Sequence, residues 1–569
     1  MSAATAPKPT EPSRLDQLVT RLRDRADAWA ALPVGDKIAL ARSMFRGIAR
    51  VAERSVAAAC AAKGIPAGSP LEGEEWIGGP WIDLRILRQT IGSLESTARH
   101  GNTPLKKVAR SADGRLLARV FPASTLDALL FPGVRGDVRL EEGVGEEELR
   151  DTRARLYREK ARPGRVCLVL GAGNQNSIPP TDVVHKMFNE GKVCVLKMNP
   201  VNAYLGPFIE EAFAEAVQGG FLAVAYGGVE EGAYLARHPA VDEIHITGSD
   251  KTHDLLVWGP PGPERAERMA RNRPLLDKEI TSELGNVSPV LVVPGPYSTR
   301  QLSVQAESVA GMVTQNASFN CNAAKMLVTP RGWSRRGELL DLVERFMGAA
   351  PARRAWYPGA RERYRALTDG RRSLRKVGSG EDALPWTLVA DLDAADEGDK
   401  AFTTEPFCSI LSEAPIASDD PVEFLDRAVA FANQRLWGTL NATIVVHPET
   451  LRDRQAAEAM DRAVAGLRYG TVGVNVWPAF AFAMGTAPWG AYPGSTLHDI
   501  QSGRGFVHNT LMLDRIEKCV VQGPITPMVK YPYFPTHRTL DVVGRRLTGL
   551  EASGSWLGVP GVVAAAMRG

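Results

Sequence analysis

Three residues of this chain have the types and surroundings to act together on a carbonyl group: Cys321, Glu283 and Asn174. Cys321 lies in NASFNCNAAKMLVTP, a polar turn carrying Asn316, Asn320 and Asn322 that leads into a strand. An ordinary cysteine is a small buried hydrophobe, and an asparagine-rich turn is not where one belongs, so a reactive thiol is expected here. Glu283, in TSELGN, stands between an apolar strand and a glycine turn. Most glutamates are solvated surface groups, but one held at a strand end near a thiol would serve as a general base. Asn174 closes VCLVLGAGN, at the carboxyl end of a strand, where open α/β folds bind ligands. Its amide would either donate to a developing oxyanion or cap the helix that starts near Pro179.

Two further positions point to a phosphate-bearing ligand. Lys197 ends the next strand, KVCVLK, and taken alone reads as a solvated lysine. In ITGS the backbone N–H groups of Gly248 and Ser249 open a helix and would face a pyrophosphate, although a plain helix start has the same pattern. No GxGxxG follows any candidate strand, which argues against a simple Rossmann oxidoreductase.

The elements that must hold these residues alternate. From Arg165 the chain runs through apolar stretches ending in glycine or proline, separated by helical patterns: VCLVLGAGN, KVCVLKMNP, FLAVAYGG and EIHITGS. That is the pattern of a doubly wound parallel sheet, and it sets a nucleotide-binding α/β domain over residues 163–289. A second α/β domain is expected over 290–490, with SPVLVV, MLVTP, CSILSEAP, NATIVV and GTVGVNVW as strands. Residues 14–115 read as helical packing rather than chemistry, 116–162 as short β-like runs with an acidic helical piece, and 491–569 as an extended tail. The Pro-rich, polar residues 1–13 read as a disordered arm.

Composition sets the class. At 569 residues, 44% apolar and 23% charged, the chain is a multi-domain globular protein. No run approaches the roughly eighteen apolar residues of a membrane helix, and the N-terminus lacks a secretory core, so a cytoplasmic enzyme is expected. A net charge of +3 with interleaved signs argues against nucleic acid as a partner. The six cysteines have no CxxC spacing, so neither a disulfide framework nor a metal site is expected.

Over about Pro163 to Asn509 the order of these motifs resembles the aldehyde dehydrogenase superfamily: Asn174, Lys197, Gly248 with Ser249, Glu283, Cys321 preceded five residues earlier by Asn316, and an ExF segment at Glu405 and Phe407. The resemblance implies a Rossmann-like cofactor domain, a catalytic domain and a small β oligomerisation element, with NAD+ or NADP+ as cofactor. It implies that the Cys321 thiolate attacks an aldehyde, that Asn174 and the Cys321 N–H hold the oxyanion, and that Glu283 activates water against the thioester. By the same resemblance Glu405 and Phe407 belong to the nicotinamide end, Lys197 contacts the adenine-side ribose, and Trp477, Phe480 and Phe482 either line a tunnel for an apolar or aromatic aldehyde or pack in the core. A homodimer or homotetramer is expected, built by exchange of a β-hairpin drawn from the segment before Arg165 and from Thr510 to Val521. The alternatives are an acyl-CoA reductase or CoA-acylating enzyme, disfavoured by the presence of Glu283, and a catalytically silent structural member, disfavoured by the intact set.

Several positions depart from the family pattern. Pro200 replaces a glutamate that often bonds the ribose, so NAD and NADP both stay open. His253 replaces a glycine, and would crowd the phosphates or sit on the helix surface. Asn286 stands for the second glycine of the ELGG turn, a substitution that positive φ tolerates, while Gln175 and Asn176 would make the tunnel more polar.

Overall fold

The computed structural model describes residues 7–159, 162–378 and 380–569. Two sheets organise it. The smaller has six strands in the order Gly503–Arg504, Glu279–Leu284, Glu243–Gly248, Val166–Leu170, Val193–Lys197, Leu222–Ala225. All are parallel except the first, which returns antiparallel from late in the chain. Val166–Leu170 and Val193–Lys197 are buried at every position, because helices cover both faces and a parallel strand must then be apolar throughout. From Val166–Leu170 the chain winds outward to one side and then returns to the other. The order therefore reverses between Val193–Lys197 and Glu243–Gly248, and this reversal opens a crevice at the strand ends, where Gly171 to Asn174 emerge.

The larger sheet has eleven strands. Its middle is parallel, running through Thr471–Val474, Asn441–Val445, Pro289–Val292, Met326–Pro330, Ile410–Ile416 and Trp386–Val389. Ile516–Gln522 extends it in parallel beside Thr471–Val474, and Arg135–Leu140, Leu116–Phe121 and Val108–Arg110 follow antiparallel. The two segments expected to be exchanged between subunits thus pair with the sheet of their own chain.

Helices Pro12–Ala31 and Val34–Lys63 lay Leu15, Val19, Leu22, Trp29 and Met44 on the smaller sheet's core. The expected disordered arm needs correction over its described part. Thr10 donates its N–H to the Tyr226 carbonyl at 3.1 Å and its Oγ1 accepts from the Tyr226 N–H at 2.9 Å, and the first helix begins at Pro12; residues 1–6 lie outside the described residues. The C-terminal helices Leu540–Ser553 and Val559–Ala566 return to the same core through Val543, Leu547, Val559 and Val562. Among the described residues no helix is long and apolar enough to cross a membrane.

Candidate active site

Cys321 follows helix Thr299–Thr314, whose start is fixed by reciprocal bonds between Ser298 and Gln301. Between helix and cysteine the backbone turns through three consecutive left-handed residues, Asn316, Ala317 and Ser318, with φ of 52°, 56° and 67°. Each costs about 1–2 kcal/mol for a side-chain-bearing residue, so the turn persists only because its surroundings hold it. Asn316 provides the hold: its Nδ2 donates to the carbonyls of Asn174 at 2.9 Å and Phe319 at 3.1 Å, and to Asn320 Oδ1 at 3.1 Å. Asn174 answers from the other domain, donating its own amide to the Phe319 carbonyl at 3.0 Å. It does not cap the following helix, so the capping alternative falls away.

Glu283 is the penultimate residue of its strand, 3% exposed, and lies against the Cys321 thiol. Burial pushes its pKa up to about 8, with the adjacent Cys321 thiol opposing the rise. Its Oε1 has no hydrogen-bond partner. Burial, and then the charge of Glu283, pushes the Cys321 thiol well above its ordinary value. Both groups therefore resist ionisation, which suits chemistry in which charge forms only with a bound electrophile.

Cys321 and Asn174 lie where two cavities meet. One is a cleft of about 760 Å³ that runs from Lys197, Pro200, Glu230 and Lys251, past Gly248 and Ser249, to Glu405, Phe407 and the cysteine. Lys197 faces it with no hydrogen bond within the described residues, and burial lowers its pKa to about 8. Ser249 caps helix Asp250–Trp258, its Oγ accepting from the Thr252 N–H at 3.2 Å. At the inner end burial raises the Glu405 carboxyl to about 7, with Lys325 at 3.6 Å opposing the rise. Glu405 Oε1 has no hydrogen-bond partner among the described residues, and the carboxylate rests where a Cβ at Gly285 would be. A carboxylate with an oxygen free to accept beside a glycine, an unpaired ammonium at the far end and glycines at the switch point fit a dinucleotide.

The second cavity is about 130 Å³ and mainly apolar, with Trp81, Phe131, Trp477, Phe480 and Phe482 in its wall. The tryptophan and both phenylalanines noted in the sequence thus line a cavity, and Trp477 Nε1 donates to the Asn322 carbonyl beside the cysteine at 2.7 Å. Gln175 lines it too, bonded to Asn320 Oδ1 at 2.7 Å. Asn176 does not: it turns away to Glu75 at 2.7 Å and to the Tyr204 hydroxyl at 3.2 Å.

His253 is also corrected. It is fully buried and absent from the cleft wall, so it neither crowds the cleft nor sits on the helix surface. Asn286 keeps an ordinary negative φ and bonds the Asn441 carbonyl at 3.0 Å, so it serves as a polar tie rather than a left-handed turn residue.

The helical N-terminal region does more than pack. Lys63, 3% exposed, donates to Glu75 at 2.9 Å and to Asn316 Oδ1 at 3.0 Å. Glu74 accepts from the Asn316 N–H at 3.2 Å and pairs with Arg353 at 2.6 Å. Two buried ion pairs thereby grip the strained residue Asn316 ahead of Cys321, which is how its conformation is enforced. The helix Glu72–Trp76 carries three acids in five residues, and the roles of Glu74 and Glu75 are legible only once their partners are in view.

No family model matches the sequence. A curated relative, the N-succinylglutamate 5-semialdehyde dehydrogenase of Ectopseudomonas mendocina, is 24% identical over 172 residues, a stretch that spans 30% of this chain and 32% of that protein. Solved structures cover far more. A Mycobacterium tuberculosis aldehyde dehydrogenase complexed with NAD+ is 18% identical with a TM-score of 0.59, covering 91% of both chains. The Methanocaldococcus jannaschii glyceraldehyde-3-phosphate dehydrogenase GapN complexed with NADP is 14% identical with a TM-score of 0.58, covering 91% of this chain and 96% of its own. The fold is therefore that of the aldehyde dehydrogenases, as the motif order implied.

Proposed function

We propose that this chain oxidises an aldehyde to a carboxylic acid with NAD+ or NADP+, through a thiohemiacetal and a thioester on Cys321. The observation that carries the reading is the position of Cys321 and Asn174 at the junction of a dinucleotide-sized cleft and an apolar cavity, with Glu283 buried against the thiol. The apolar cavity receives the aldehyde's body and sets its carbonyl at Cys321. As the thiol adds to the carbonyl carbon, its proton passes to Glu283, the nearest base, and the Asn174 amide with the Cys321 N–H receives the oxyanion. The bound nicotinamide supplies the hydride acceptor. Lys197 holds the adenine end of the cofactor, Gly248 and Ser249 its phosphates, and Glu405 with Phe407 its nicotinamide ribose and ring. Once Glu283 has released the thiol proton to solvent, its carboxylate takes a proton from water, hydroxide adds to the thioester carbon, and the C–S bond breaks to give the acid and a Cys321 thiolate that is reprotonated from Glu283.

The test is NAD(P)H formation across small aliphatic and aromatic aldehydes with each cofactor, with and without CoA, beside a Cys321→Ala variant. Acid as product, and no turnover by the variant, is the expected result. Acyl-CoA as the main product would transfer the second half-reaction to a thiol acceptor, and silence across the panel would mark a binding protein built on the fold.

A further inference from the structure

The apolar cavity beside Cys321 ends at a wall contributed by the C-terminal segment. Pro532, Tyr533 and Leu540 line that cavity, and together with Glu74, which also borders both spaces and is held by Arg353, they line a second cavity of about 570 Å³ on their other side. A single layer of side chains therefore separates the two spaces. The layer is seated firmly. A Cβ at Gly311 would overlap the Tyr533 carbonyl oxygen, and one at Gly73 would overlap the backbone of Leu540, so the tail docks this closely only because both positions are glycine. The Tyr533 hydroxyl bonds the Ser308 hydroxyl at 2.9 Å, and its ring meets Trp477 edge-on at 5.2 Å. Trp477 in turn is fastened to the carbonyl of Asn322, so one ring links the wall to the nucleophile's turn.

The two sides differ in size and charge. The inner space, about 130 Å³, is close to the roughly 150 Å³ that encloses benzene. The outer space is bordered by Arg353, Arg354 and Arg538. Arg353 is paired with Glu74, whereas Arg354 and Arg538 have no ion-pair partner among the described residues.

We infer that Tyr533 and Leu540 form a partition that determines substrate length: it confines the wild-type enzyme to aldehydes about the size of a phenyl ring or a short aliphatic chain, and closes off a space suited to a longer chain ending in a carboxylate. The inference rests on aldehyde oxidation at Cys321. A chain that meets the partition cannot bring its carbonyl to the thiol, and a methylene accepted or rejected in such a pocket changes kcat/KM by about tenfold or more.

The test measures kcat/KM for benzaldehyde, for linear aldehydes of about four to twelve carbons and for a long aldehyde with a terminal carboxylate, in the wild type and in Tyr533→Ala, Leu540→Ala and Tyr533→Phe. The wild type should lose about tenfold or more beyond short chains. Both alanine variants should raise the long-to-short ratio by about tenfold or more, with the carboxylated chain ahead of its methyl-ended counterpart. Tyr533→Phe keeps the ring and should keep the wild-type profile. An unchanged ratio in alanine variants that still oxidise benzaldehyde overturns the inference. So does a wild type that oxidises the longest and shortest chains equally, a result that needs no variant to fold. Absence of NAD(P)H from every aldehyde would instead overturn the reading of Cys321 itself.

Discussion

Replacing Glu283 by glutamine removes the base while keeping the space it fills. Burial raises the carboxyl from 4.5 to about 8, which places about 5 kcal/mol on its charged form at about 1.4 kcal/mol per tenfold. Because the folded value lies above the unfolded one, the native state holds the proton longer. The group's contribution to stability is complete below about pH 4.5, declines as the pH rises, and levels off above about pH 8. Glutamine does not ionise, so the variant lacks this decline. Its unfolding free energy relative to wild type should grow between about pH 4.5 and 8 and stay constant above, with 5 kcal/mol as a ceiling that local relaxation reduces to about 2–4 kcal/mol. Activity moves the other way. In the wild type kcat/KM should rise through about pH 8 as the carboxylate forms, whereas the variant should lose this limb and about 10²–10⁴ in kcat. Denaturant unfolding across this pH range reads the first effect, and stopped-flow NAD(P)H formation reads the second. The variant should release one equivalent per Cys321, slowly, and then stall at the thioester. Parallel stability curves, or a glutamine variant that turns over at the wild-type rate, would refute the reasoning.

Asn174→Ala removes an oxyanion donor and should lower kcat by about 10²–10³ with little change in aldehyde KM, measured by steady-state kinetics. Lys63→Met leaves Glu75 buried without its cation, and denaturant unfolding should show a loss of about 3–5 kcal/mol. Lys63→Arg should recover part of both stability and kcat if the ion pair positions Asn316, and neither if the site depends only on side-chain volume. Gly285→Ala sets a Cβ against the Glu405 carboxylate, an overpacking of about 1–3 kcal/mol that should raise the cofactor KM about tenfold while the burst at saturating cofactor persists.

The alternation of strands and helices was legible in the residues alone, because an apolar run ending in glycine, repeated between helical patterns, has few other solutions than a parallel sheet covered on both faces. The sequence also singled out Asn174, Glu283 and Cys321, since an amide at a strand end, an acid before a glycine turn and a thiol among asparagines are each out of place for ordinary packing. What it could not determine was anything that depends on partners far apart in the chain. Lys63, Glu74 and Glu75 lie in a region that read as helical packing rather than chemistry until Asn316 stands against them, about 250 residues away. His253 read as a surface or crowding residue because its helical position is local information, whereas its burial depends on what packs over that helix. The tail's residues offered no account beyond packing, since nothing in them reveals that Tyr533 and Leu540 face a cavity that Cys321 also lines. Local pattern fixes element type through backbone geometry and apolar period, while burial, charge pairing and the shape of a cavity are properties of the assembled chain.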